Sequence, residues 1–372
     1  MIEFKLSRDS SLPLHMQLLD ELRHKIKSGV LSAHDRLPGE WEMVEVLGIS
    51  RATIQRAWQA AQDEGLLYRV VGKGTFVAGP SSTAATGDSV GFFIPEYRGT
   101  FSVEMLSGAE RVLRKFGYRV HVASTDRELS EENRLLLSLD TDGSRGCILV
   151  PARGDSGRVL TSPQFRVPTV LLDRPVPGAE LPCVTSSNYE GGRQAMAHLI
   201  SLGHRRIVFF ARPHLDLWPV AERYRAYRDA LIEAGGNPLP PVLMDGNKEM
   251  SWFEAYIQHD DAAVQPLVDL LRSPQRPTAI FAVNDWIALL AQQAIALAGL
   301  NNPADVSVVG FDDLDIAQYQ NPPLTTVAQN GASMGAEAAR RLMTLMEGER
   351  SEAIITLIPT RLVVRGSTAP AP

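Results

Sequence analysis

From Ser89 onward short apolar runs alternate with amphipathic stretches, and this alternation restricts the fold more than any other feature of the chain. The runs lie at 90–94, 119–123, 147–150, 169–172, 207–210, 279–283 and 306–309, and most are continuous stretches of four or five apolar residues. Such runs suit parallel strands buried on both faces. The segments between them read as helices, among them 102–116, 191–202, 221–234 and 286–297. Strand–helix alternation of this kind predicts a doubly wound α/β core.

In such sheets ligands bind beyond the carboxyl ends of the strands, so the residues after each run matter. Pro95, Glu96 and Tyr97 follow the first, and Asp173 and Arg174 the fourth. Arg212 and His214 follow the fifth, with Trp218 further along. Asn284 and Asp285 follow the sixth, and Asp312 and Asp313 the last. Acids and amides paired with an arginine can each hold two adjacent hydroxyls, and an aromatic ring can cover the apolar face of a sugar. Plainer readings compete: Asp285 and Asp313 equally suit helix caps, Trp286 suits core packing, and His204 in Gly-His-Arg-Arg suits a structural role. Arg223 is read as opening a helix, where its charge opposes the macrodipole, so it calls for a partner across a cleft.

The N-terminal part has a different pattern. Leu14, Leu18, Leu22 and Ile26 recur every fourth residue and predict a helix over 14–28, with Pro13 before it and Gly29 after it. A second helix starts near Pro38-Gly39-Glu40, buries Met43, Val44 and Leu47, and ends at Gly48. Ser50 is a suitable N-cap for a third. There Ile54, Ala57, Trp58 and Ala61 form the core face, and Arg51, Gln55 and Arg56 lie on the other. Residues 67–71 and 75–77 then read as two strands joined at Gly72-Lys73-Gly74. This is the plan of a winged helix-turn-helix, which sets one helix in the major groove of double-stranded DNA. Arginine and glutamine can bond base edges in two places at once, whereas Ser50 and Thr53 suit phosphate and set register.

Residues 12–78 resemble the DNA-binding domain of the GntR family of bacterial transcriptional regulators. The resemblance rests on Pro13-Leu14 with Gln17, Leu37-Pro38 with Glu40, Gly48-Ile49-Ser50-Arg51 with Thr53-Ile54, Glu64-Gly65-Leu66, and Gly72-Lys73-Gly74-Thr75-Phe76-Val77. It implies DNA contacts at Arg51, Thr53, Gln55 and Gly72. Trp41, Gln55 and Val71 depart from the family's common residues, so an operator sequence does not carry over.

Residues 89–368 resemble the effector-binding core of the LacI family, itself similar to periplasmic sugar-binding proteins. The matching stretches include 170–174, Asn188 with Gly191-Gly192, 203–207, Glu222-Arg223 with Tyr227, Val283-Asn284-Asp285, 308–313 and 322–327. The resemblance implies effector contacts at Asp173, Arg223, Asn284, Asp312 and Gln329. Gly331 stands where an aromatic is common and Asn330 where an acid is frequent, so stacking is assigned to other rings, with Phe101, Trp218 and Trp286 as candidates. Together the two blocks have the domain order of the arabinose-repressor-like subgroup.

Charge does not mark the chain as a DNA binder, since its formal net charge is −6. Residues 1–78 carry ten basic and ten acidic side chains. Local distribution decides instead. Acids are absent between Glu45 and Asp63 and between Glu64 and Asp88, where Arg51, Arg56, Arg69 and Lys73 sit, so a basic patch is expected with the acids elsewhere. Cys147 and Cys183 are too few for a disulfide framework and read as thiols in a reducing cytoplasm. Neither a signal sequence nor a membrane-length apolar run is apparent. No Cys/His spacing suggests a metal. An aminotransferase-like second block would need a Schiff-base lysine, but only Lys115 and Lys248 occur there, neither in a matching context.

The expectation is therefore an α+β winged helix-turn-helix over 1–78, a linker over 79–88, and a two-lobed α/β periplasmic-binding-protein-like (LacI-type) core over 89–372. The chain should cross between the lobes near Ser187, Gln329 and Pro359. The expected function is that of a cytoplasmic, nucleoid-associated, homodimeric repressor of carbohydrate-use genes. It would bind operator DNA and a small effector, expected to be a sugar, without catalysis, cofactor, metal or membrane.

Overall fold

The structure, a computed structural model, describes residues 4, 6–7, 12–28, 30–32, 35–64, 66–70, 74–77, 89–97, 99–152, 157–244, 261–348 and 355–372. The chain divides into two compact units, Met1–Thr86 and Gly87–Pro372. The expected linker, 79–88, lies outside the described residues, as do Gly29, Val71, Gly72 and Lys73.

The first unit holds helices α1 (Leu14–Lys27), α2 (Glu40–Leu47) and α3 (Arg51–Asp63) and strands β1 (Leu67–Val70) and β2 (Gly74–Val77). Leu18, Leu22, Met43, Ile54, Ala57, Trp58 and Ala61 are buried together. The helical spacing of these side chains drives the three helices onto one core. Gly48 ends α2 with φ 62°, a left-handed turn that glycine adopts without cost. Ser50 caps α3, its side chain accepting a bond from the Thr53 backbone N–H. The two strands pair antiparallel, from Leu67 opposite Val77 to Val70 opposite Gly74.

The second unit contains two six-stranded sheets. Lobe 1 uses β3 (Ser89–Ile94), β4 (Arg119–Ser124), β5 (Gly146–Leu149), β6 (Thr169–Leu172), β7 (Cys183–Ser186) and β13 (Ile355–Ile358), in the order β13-β7-β6-β5-β3-β4. Lobe 2 uses β8 (Ile207–Ala211), β9 (Val242–Leu243), β10 (Ala279–Ala282), β11 (Ser307–Asp312), β12 (Thr325–Ala328) and β14 (Arg361–Val363), in the order β14-β12-β11-β10-β8-β9. Among the described residues every pairing in these two sheets is parallel except that of β14 with β12. Helices α4 (Thr100–Lys115), α5 (Leu129–Thr141), α6 (Gly157–Leu160) and α11 (Gly331–Met346) belong with lobe 1, while α7 (Asn188–Ser201), α8 (Trp218–Glu233), α9 (Asp261–Arg272) and α10 (Asp285–Leu297) belong with lobe 2. The chain leaves lobe 1 at Ser187, returns after Gln329 and leaves again at Pro359.

Apolar runs alone do not reveal β7 and β12. They read Cys-Val-Thr-Ser and Thr-Thr-Val-Ala, yet all eight residues are buried. Their hydroxyls are satisfied internally: Thr185 Oγ1 donates to the Asp173 carbonyl at 2.6 Å, and Thr326 Oγ1 donates to the Asp285 carboxylate. A satisfied hydroxyl can be buried without the large cost of an orphaned one.

Two further expectations are corrected. Helix α8 begins at Trp218, three residues earlier than expected, with Pro219 in its first turn. Arg223 thus lies in the second turn and does not open the helix. Neither Asp285 nor Asp313 is a cap. Asn284 caps α10, Asp285 Oδ2 accepts from the Leu314 N–H at 2.8 Å, and Asp313 accepts from Arg365 at 2.6 Å.

Candidate functional site

In the first unit, α3 presents Arg51, Gln55 and Arg56, all exposed. Ser50 Oγ and Thr53 Oγ1 lie 2.8 Å apart at the start of the same helix. The acids are not all elsewhere, however. Glu40, the first residue of α2, accepts from Arg51 Nε at 2.8 Å and from Gln55 Nε2 at 2.9 Å, and lies 3.7 Å from Arg69 Nη1. The Arg51 guanidinium beside Glu40 holds its carboxyl below the usual range. Arg51 also lies over the exposed Trp41 ring, 5.0 Å from its centroid. One carboxylate therefore gathers two expected base-reading side chains and a strand residue. Fifteen residues separate Glu40 from Gln55 in sequence, which is why local acid spacing does not show the contact. Gly72 and Lys73 lie outside the described residues.

In the second unit, a cavity of about 630 Å³ lies between the lobes. Asp173, Arg223, Asn284, Asp312, Gln329 and Phe101 all line it. Their positions follow from the topology. Asp173 follows β6, Asn284 follows β10, Asp312 ends β11 and Gln329 follows β12, all at carboxyl ends of strands. Asp173 and Asp312 have left-handed backbones, with φ 72° and 118°, at the point where each strand turns into its loop.

Arg223 is the organising cation. Its Nε donates to Asn188 Oδ1 at 2.8 Å and its Nη1 to the Val283 carbonyl at 2.7 Å. Asp312 Oδ1 lies 3.7 Å from Nη1, and the Phe311 ring centroid lies 3.7 Å from the guanidinium carbon. Burial lowers the Arg223 pKa, opposed by the nearby Asp312, Asp173 and Asp285. Burial also raises the Asp312 carboxyl to about 6, against the pull of Arg223 and of the Gln329 amide, with Asp173 adding repulsion. Gln329 Nε2 donates to Asp312 Oδ1 at 2.6 Å. Among the described residues, Gln329 Oε1 and Arg174 Nε are buried without a hydrogen-bond partner. An acceptor and a donor of this kind suit a polar ligand.

Trp218 does not line the cavity, although Leu217, Pro219 and Val220 do. At helical spacing Trp218 shares a face with Glu222, whereas Pro219 and Val220 share one with Arg223. Trp286 lines the cavity and also packs on the lobe 2 core, so its two readings coexist. Gly331 has a packing reason: a Cβ there would lie 2.9 Å from Glu104 side-chain atoms and 3.1 Å from the Phe101 carbonyl. An aromatic has no room beside α4. Asn330 caps α11, accepting from the Ser333 N–H at 2.9 Å.

Sequence reasoning missed Asp126, Arg127 and Glu128, which follow β4 and line the cavity. The signal that finds them is their position just after the run at 119–123, at the carboxyl end of a strand. Among the described residues no cluster of His, Cys, Asp or Glu is placed to hold a metal ion. No described helix is long and apolar enough to cross a membrane.

Residues 14–77 match the gntR family of bacterial regulatory proteins, and residues 196–368 match the periplasmic binding protein-like domain. The chain is 29% identical over 370 residues to the arabinose metabolism transcriptional repressor of Geobacillus stearothermophilus, covering 97% of this chain and 99% of the relative. It is 30% identical over 325 residues to the HTH-type transcriptional repressor CytR of Escherichia coli (strain K12), covering 87% and 90%. Among solved structures it is similar to the transcriptional regulator CelR–cellobiose complex, with TM-score 0.66 and 27% identity over 89% of this chain and 100% of that one. The two domain matches, the relatives that span nearly the whole chain and the paired sheets agree: the chain belongs to the bacterial transcriptional regulators that join a GntR-type DNA-binding domain to a LacI-type, periplasmic-binding-protein-like core.

Proposed function

We propose that this regulator represses carbohydrate-use genes and leaves its operator when a sugar fills the cleft between the lobes. The observation that carries the reading is the cavity itself. Acids, amides and arginines from both lobes converge on it at strand ends, in a chain that also carries a winged helix-turn-helix. The names of two relatives, an arabinose metabolism repressor and a regulator bound to cellobiose, support a saccharide effector.

In this reading Arg51, Gln55 and Arg56 read base edges, while Ser50, Thr53, Gly72 and Lys73 hold phosphate. Asp173, Arg223, Asn284, Asp312 and Gln329 hold sugar hydroxyls, and Phe101 covers an apolar sugar face. The protein acts in the cytoplasm, on the nucleoid, as a homodimer whose two α3 helices read two half-sites. Closing the cleft changes how the cores pack, and so the spacing of the reading helices. Sugar binding is the whole of the chemistry, with no turnover.

The test uses purified full-length protein and an operator selected from random duplex DNA, followed by fluorescence anisotropy. A saccharide is expected to release the DNA and to be recovered unchanged. Release by no saccharide, or conversion of the saccharide, overturns the reading.

A further inference from the structure

The cavity has two ends. At one end Asp173, Arg223, Asp312 and Gln329 stand together, beside the strands where the chain crosses between lobes. From Asp173 at the end of β6, lobe 1 continues outward through β5 and β3 to β4. At about 4.8 Å per strand, three steps put the residues after β4 roughly 14 Å away. Lobe 2 repeats the arrangement, because from Gln329 at the end of β12 three steps through β11 and β10 reach β8 and Arg212. All of these residues line one cavity, which is longer than a single sugar ring.

The far end is a built site. Arg127 Nη2 donates to Glu96 Oε1 at 2.5 Å, and the Arg127 N–H donates to the Pro95 carbonyl at 3.1 Å. Five non-glycine residues among those described have left-handed φ, and four of them line the cavity. Asp173 and Asp312 mark the near end, while Asp126 (φ 49°) and Arg127 (φ 63°) mark the far end. Such backbone persists only where its surroundings impose it, and it gathers at ligand clamps. Asp126 and Arg127 are the two central residues of a turn closed by the Glu128 N–H donating to the Thr125 carbonyl at 2.8 Å, a turn with positive φ at both central positions that holds Arg127 against the cavity.

Charge selects the class of ligand. Among the described residues the cavity is lined by five carboxylates and four guanidiniums, with an acid paired to an arginine at each end. That balance disfavours a phosphate or a free carboxylate, which would need surplus cation. It suits a neutral ligand with hydroxyls at both ends.

We propose that the effector is a disaccharide. One ring sits on Asp173, Arg223, Asp312 and Gln329, and the second ring is read by the Glu96–Arg127 pair. This rests on the cleft being the effector site. Glu96 and Arg127 are then the residues that set ligand length.

The test is isothermal titration of the full chain with glucose, xylose, arabinose, cellobiose, maltose, xylobiose and cytidine. One disaccharide is expected to bind at least tenfold more tightly than its own monosaccharide. Arg127→Gly, which relieves the left-handed backbone while removing the guanidinium, should collapse that ratio to below threefold. Glu96→Gln should do the same by breaking the pair from the other side. Asp312→Asn should weaken both sugars together. Equal affinity for mono- and disaccharide overturns the second-ring site and leaves the sugar cleft standing, as does a ratio that survives both variants. Tightest binding by cytidine overturns the disaccharide. Binding of nothing in the panel overturns both this proposal and the sugar reading of the cleft.

Discussion

Asp312 is a carboxyl whose protonation is set by its surroundings. Burial raises it to about 6 while Arg223 and Gln329 pull it down. The unfolded chain has an aspartate near about 3.9. A carboxyl with a raised folded pKa contributes stability that is complete below the unfolded value and is lost as pH rises through about 6. Burial lowers the pKa values of His121, His198 and His204, which act in the opposite direction, so Asp312 is isolated by comparison: between pH 5 and pH 7 the ligand-free wild type is expected to lose melting temperature relative to Asp312→Asn in thermal scans. If Asp312 receives sugar hydroxyls, its ionised form is the better acceptor, so sugar affinity should rise through the same window. Calorimetry at pH 5 and 7 checks this. In the first unit, Arg51→Ala should cost about 1–3 kcal/mol of operator discrimination and leave sugar affinity intact. Glu40→Gln should also lower operator specificity, by releasing Arg51 and Gln55 from their shared carboxylate. Anisotropy on matched and scrambled duplexes measures both.

At the scale of elements, α4 and α11 cross so closely that side chains are excluded. A Cβ on Gly335 would lie 1.8 Å from the Met105 carbonyl oxygen, and one on Gly108 would lie 2.0 Å from that of Ala332. Gly335→Ala must push the helices apart, at a cost of about 1–3 kcal/mol. The urea midpoint of the core should fall while that of the DNA-binding unit stays in place. This crossing also shows where sequence reading stops. Helix α3 was legible because Ile54, Ala57, Trp58 and Ala61 follow local geometry. Strand ends were legible because parallel sheets put ligands there, which brought out Asp173, Asn284 and Asp312 as cavity-lining residues. Contacts between distant segments leave no local trace. Glu40 against Gln55, Gly331 against Glu104 and Asn188 against Arg223 depend on packing. Strands β7 and β12 were hidden because their hydroxyls are paid for by partners far along the chain.

For the whole molecule, two sites on one chain are coupled only if each changes the other's affinity by the same factor. If a sugar weakens operator binding tenfold, a saturating operator must weaken sugar binding tenfold, and titration with and without duplex DNA reads both numbers. Equal sugar affinities in the two states would sink the switch. The three crossings between lobes have a further consequence, for the order in which the protein is made. Lobe 1 lacks its edge strand β13 until residues 355–358 have been translated, and lobe 2 lacks β14 until 361–363. The winged helix-turn-helix has all its described elements by Val77 and can fold early on the ribosome, as N-terminal domains generally do. A chain whose synthesis stops before β13 thus carries a finished DNA reader and an unfinished ligand sensor, and any repression it exerts is blind to sugar.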